Sequence, residues 1–182
     1  QTAFNPQIVK SYASGNHDYL INLIIRSSKY SYFLLYIISL PIYLFCDEIL
    51  EFWLGEVPTY TVSFCHLMII YSLIDAIQGP LWISVQATGK IRTYQIMISV
   101  MILINLPISY LFLRLGYNPE IVLIIRCTLS ILILFFRLFY LRYLFSFSIW
   151  NYIRDVIVRV IYVTLPALVL LYFLDCIQMT KL

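Results

Sequence analysis

Five stretches of this chain are apolar over roughly the 20 residues that a helix needs to cross a bilayer core at 1.5 Å per residue. Their approximate limits are 30–46, 62–85, 94–114, 120–141 and 156–174. Apolar runs of this length, without period-2 alternation, favour helices over buried strands. Composition points the same way: of 182 residues, 62% are apolar and 12% charged, with a mean hydropathy of +0.89. Soluble domains carry about a quarter charged residues, so this chain cannot cover its own surface in water. The expected fold class is all-α, a polytopic transmembrane helix bundle with about five spans.

The breaks between the stretches are chemically plain. Asn16 and Asp18 follow Gly15 and predict the start of a helix that carries Arg26 and Lys29 into the first span. Gly55 and Pro58, then Gly89, then Gly116 with Asn118 and Pro119, punctuate the next turns. Charge alternates across them. Lys10, Arg26 and Lys29 precede the first span, whereas "CDEILEFWLGEVPTY" holds Asp47, Glu48, Glu51 and Glu56 and no Lys or Arg. Lys90 and Arg92 follow, then a turn with Arg114 and Glu120. Arg137, Arg142, Arg154 and Arg159 then crowd the fourth connection. Lys and Arg counts in short loops set orientation, so 10–29, 87–93 and 142–155 are expected on the cytoplasmic side, and the acidic 47–60 turn outside.

Two charges fall inside spans. Asp75 lies about 20 Å below the outer end of the second span by helical rise. A carboxylate there costs at least about 2.5–3.5 kcal/mol, so it faces a watery cavity, finds a partner, or is protonated. At helical spacing it shares a stripe with Gln78, Trp82 and Gln86 on an otherwise aliphatic helix, next to Pro80. Two readings stand: a lumen-facing stripe, or an Asp that bonds a neighbouring helix. Arg126 lies about 9 Å inside the fourth span. It either snorkels outward or faces a lumen as a donor to phosphate or pyrophosphate. His66 reads as a packed or interfacial residue, and Asn105 with Ser109 as support for a kink at Pro107. Cys46, Cys65, Cys127 and Cys176 are scattered without C-x-x-C spacing and read as small apolar residues. No paired-carboxylate site, G-x-S-x-G, H-E-x-x-H or Gly-rich phosphate loop is present, so neither catalysis nor a cofactor or metal is expected.

Several segments together carry a resemblance: "NPQIVKSYASGNHDYLINLIIRSSKYSYFLL", "ISLPIYL", "EFWLGEVPTYTVSF", "ATGKIRTYQI" and "NLPISYLFLRLGYNPE". Over residues 4–144 the chain resembles the second half of bacterial polysaccharide flippases. These are the Wzx-like O-antigen or lipopolysaccharide exporters of the MOP (multidrug, oligosaccharidyl-lipid, polysaccharide) superfamily. The resemblance implies a bundle of twelve to fourteen spans in two lobes around a lumen, of which residues 1–182 are a partial C-terminal lobe. Beginning at Gln1, the chain reads as a fragment whose N-terminal lobe is a missing partner. It further implies the bacterial inner membrane, an undecaprenyl-diphosphate-linked oligosaccharide as substrate, membrane lipids as surroundings, H+ or Na+ as a coupling ion, and no nucleic acid. Two other classes remain: a multidrug-type cation antiporter of the same fold, and a polytopic membrane enzyme such as an O-antigen polymerase.

Overall fold

The first four apolar stretches become helices longer than the stretches themselves. The structure, a computed structural model, describes residues 5–89, 91–145 and 147–166. Lys90, Cys176 and the later part of the expected fifth span lie outside the described residues. The chain divides after Phe147 into two units. The first contains α1 (Asn5–Ala13), α2 (His17–Leu44), α3 (Cys46–Leu54), α4 (Thr61–Ala87), α5 (Ile91–Arg114) and α6 (Ile121–Phe145). No strand occurs among the described residues. By length and composition α4, α5 and α6 can each cross a membrane, and α2 with α3 makes a fourth candidate span, bent by 71°.

Local chemistry explains these limits. The Asn16 side chain accepts a hydrogen bond from the Tyr19 backbone N–H at 3.1 Å, capping α2 as its position predicts. Pro41 lies inside the last turn of α2, and the Phe45 N–H closes the helix by donating to the Pro41 carbonyl. The segment expected as an acidic turn at 47–60 instead opens with a helix. Asp47 and Glu48 occupy the first turn of α3, where carboxylates suit the helix N-terminus, and Gly55 ends it at a φ of 74°. Arg137 corrects another expectation. It lies two turns inside α6 and not in the connection that follows.

α4 packs against α1, α2 and α6, and α6 against α5. Burial is concentrated toward the end that carries Lys10, Arg26 and Arg92. On α4 the buried residues run from Ala76 to Val85, on α5 they include Tyr94 and Ile98, and on α6 they run from Ser130 to Leu141. Buried Ser27, Ser28, Ala76 and Ser84 are small enough to let backbones approach closely. Toward the acidic end α4, α5 and α6 bury far less, and the site described next begins where this packing gives out.

The second unit begins with α7 (Ile149–Tyr152), capped by the Ser148 hydroxyl accepting from the Asn151 N–H. It runs through a π-helical stretch, Ile153–Val158, into further helix over 159–166. Arg159 and Asp155 pair there at 3.3 Å. The helical part of the expected 156–174 span is thus described as far as Pro166.

Candidate functional site

One face of α4, one of α5 and one of α6 enclose a cavity of about 450 Å³. α4 contributes Tyr71, Asp75 and Gln78, spaced i, i+4, i+7, which keeps them on one helix face. α6 contributes Arg126, Ser130, Ile133 and Arg137, at i, i+4, i+7 and i+11, the same stripe carried one turn further. α5 adds Asn105 among Ile102, Leu103 and Leu106, so this wall is mainly aliphatic.

The polar residues differ in how they are held. Gln78 is 1% exposed, and its amide nitrogen donates to the Ser130 hydroxyl at 2.8 Å and the Ser130 carbonyl at 3.2 Å. A carbonyl only accepts, so this pairing fixes which way the amide points. Arg137 donates to the Gln78 backbone carbonyl at 3.2 Å, and its guanidinium lies 5.9 Å from the centroid of the Trp82 ring. Trp82 in turn sits 5.7 Å, centroid to centroid, from Tyr94 of α5. Together these contacts tie α4, α5 and α6 at one end of the cavity. Gln78 Oε1 and Arg137 Nε are buried with no hydrogen-bond partner, and leaving such groups unmet costs about 1–3 kcal/mol each.

The other end is looser. Arg126 is exposed, forms no hydrogen bond among the described residues, and places its guanidinium 4.3 Å from the centroid of the Tyr71 ring. Asp75 is exposed and has no hydrogen bond or ion pair among the described residues. Asp75 and Arg126 therefore line one cavity without forming a pair. In a membrane-spanning helix an unpaired carboxylate needs water or a solute, and the cavity that Asp75 lines offers room for either.

Not every residue of the predicted α4 stripe reaches this cavity. Trp82 lies beside it, against Arg137, and Gln86 is exposed away from its walls. Gln78 lines the cavity but is already committed to Ser130. Sequence reasoning passed over Ser130 and Arg137. The signal for both was the heptad-like register from Arg126, obscured because Arg137 sits near other arginines that mark a cytoplasmic boundary.

His66, Asn105 and Ser109 are held by packing contacts, whereas the Tyr36 and Tyr94 hydroxyls are buried without a hydrogen-bond partner among the described residues. His66 Nε2 meets the Tyr43 carbonyl at 3.0 Å, and its ring stacks on Tyr43. The Ser109 hydroxyl donates to the Asn105 side chain at 3.2 Å across Pro107. Cys46, Cys65 and Cys127 are free thiols, and among the described residues no group of three His, Cys, Asp or Glu is placed to hold a metal ion. No family model, curated protein or solved structure matches this chain.

Proposed function

We propose that the cavity between α4, α5 and α6 is part of the lumen of a membrane transporter that moves an anionic, polar head group across the bilayer. The observation that carries this reading is one cavity within candidate membrane spans, lined by two guanidiniums and one unpaired carboxylate, with an aliphatic wall on α5. Two arginines against one aspartate favour an anion, and guanidinium suits the planar, bidentate recognition of phosphate. An aliphatic wall suits a substrate that keeps a lipid chain in the membrane. Taken with the sequence resemblance, the substrate is an undecaprenyl-diphosphate-linked oligosaccharide, flipped from the cytoplasmic to the periplasmic leaflet of a bacterial inner membrane for surface polysaccharide.

The mechanism is alternating access by rocking of two lobes, the expected device of such carriers. Residues on the cationic, cytoplasmic side are tightly buried while the cavity side is open, which suits a state closed to the cytoplasm. The unmet Gln78 Oε1 and Arg137 Nε suit a seam that re-pairs when α4 and α6 shift. Asp75 is the candidate site for a coupling H+ or Na+. That same carboxylate is the one feature favouring a cation antiporter, and the excess of arginine weighs against it.

The test is export of surface polysaccharide by the full-length protein, compared at matched membrane abundance. Arg126→Ala is expected to abolish export and Arg126→Lys to weaken it, because a phosphate contact uses the planar fork as well as the charge. Normal export by both variants would remove Arg126 from the site. Loss of drug resistance instead of polysaccharide export would favour the antiporter.

A further inference from the structure

The short helix α3 has three faces with three different chemistries. At 100° per residue, Asp47, Glu48 and Glu51 occupy one arc. Cys46 and Leu50 form a second, and Cys46 is buried where α3 packs against α4. Ile49, Phe52 and Trp53 form the third, and they are exposed, Phe52 by 94% and Trp53 by 78%. An arc of this kind is not covered by any other element of the described structure, and it is too apolar to be left to water.

Geometry says what covers it. α3 follows directly on α2 and is bent 71° from it. When α2 stands along the membrane normal, α3 lies within about 20° of the membrane plane, a deviation no larger than ordinary helix tilt. At that depth the acidic arc meets water, and the Phe-Trp arc meets the boundary between head groups and acyl chains, where aromatic rings are favoured. The length of α3, nine residues, also leaves it too short to cross the hydrocarbon by itself. We infer that α3 is an in-plane interfacial helix that seats Ile49, Phe52 and Trp53 in the head-group layer of the leaflet opposite the Lys10, Arg26 and Lys29 cluster. It holds the end of α2 and, through Cys46, the start of α4 at a set depth. This inference is independent of what the cavity transports.

The experiment uses the chain reconstituted into phosphatidylcholine vesicles, with Trp82→Phe and Trp150→Phe leaving Trp53 as the sole tryptophan. Lipids brominated near the head group, at mid-chain, or near the methyl ends report its depth. Trp53 is expected to lose most of its fluorescence to the shallow bromines and little to the deep ones. Moving the reporter to the opposite arc, with Glu51→Trp and Trp53→Phe, is expected to remove bromine quenching and expose the ring to aqueous acrylamide. Phe52→Trp with Trp53→Phe gives a second reporter on the apolar arc, and circular dichroism confirms that each variant retains its helices. Strongest quenching of Trp53 by the deep bromines would show α3 continuing the span and overturn the inference. Absence of bromine quenching at both Trp53 and the Phe52→Trp reporter would place the arc in water or against protein, and would overturn it as well.

Discussion

The two ends of the cavity hold the same residue type on the same stripe of α6 and use it differently. Arg137 is half-buried, bonded to the Gln78 carbonyl and set against Trp82. Arg126, three helical turns away, is exposed, sets its charge against the Tyr71 ring and forms no hydrogen bond among the described residues. The difference teaches that a charge inside a span is not by itself a binding residue. At the Arg137 end the guanidinium is held by helix packing and adds its positive charge to the cavity from a fixed position; at the Arg126 end the guanidinium is left to meet a solute.

Substitutions at the two ends sharpen this contrast, and the largest effect on folding is expected from Arg137→Ala. Removing a charged donor from the α4–α6 seam loses about 2 kcal/mol of hydrogen bonding and the Trp82 contact, offset in part by removal of the unmet Nε. Thermal unfolding in detergent and membrane abundance both report the loss. If Arg137→Ala is as stable as the parent chain, the claim that this end is structural fails.

Gln78→Leu ranks next. It breaks the bond to Ser130 but also removes the unmet Oε1, and interhelical side-chain bonds in membranes average only about 0.6 kcal/mol. A double-mutant cycle with Ser130→Ala is expected to return a coupling of that size. Coupling near zero would mean the Gln78–Ser130 bond does not form in the membrane.

The smallest folding effect is expected at the open end. Arg126→Ala gives up one exposed cation–π contact, worth about 0.5–1 kcal/mol, and Asp75→Asn gives up no bond seen in the structure. Both are expected to keep their abundance while losing export in the full-length protein. Equal stability losses at Arg126 and Arg137 would erase the contrast.

Much of this arrangement was legible in the sequence, for reasons that differ by element. α4, α5 and α6 announce themselves because long apolar runs, separated at Gly89 and Gly116, are long enough to be helices that cross a membrane. The start of α2 is legible because Asn16 is a local signal, acting three residues away. α3 was not, since nine residues mixing acids with aromatics are too few for a periodicity to stand out, and a proline near the break does not give its 71° angle. Asp75 and Arg126 could be singled out by cost, because a charge inside a span is expensive. That they share a cavity could not, for it depends on the register between α4 and α6. Gln78 shows the limit of reasoning along one helix: its partner, Ser130, lies 52 residues away.

The most direct test of the central claim is the reactivity of a thiol at position 75. With Cys46, Cys65, Cys127 and Cys176 replaced by Ala, Asp75→Cys is treated in membranes with small anionic and cationic methanethiosulfonates. Glu51→Cys on the acidic arc of α3 serves as the water-exposed control, and Ser84→Cys, at a fully buried position, as the protected one. A watery cavity dominated by arginine predicts that Asp75→Cys reacts, and reacts faster with the anionic reagent, while Ser84→Cys stays unmodified. An Asp75→Cys thiol that is as inert as Ser84→Cys, under conditions that label Glu51→Cys, would contradict the account.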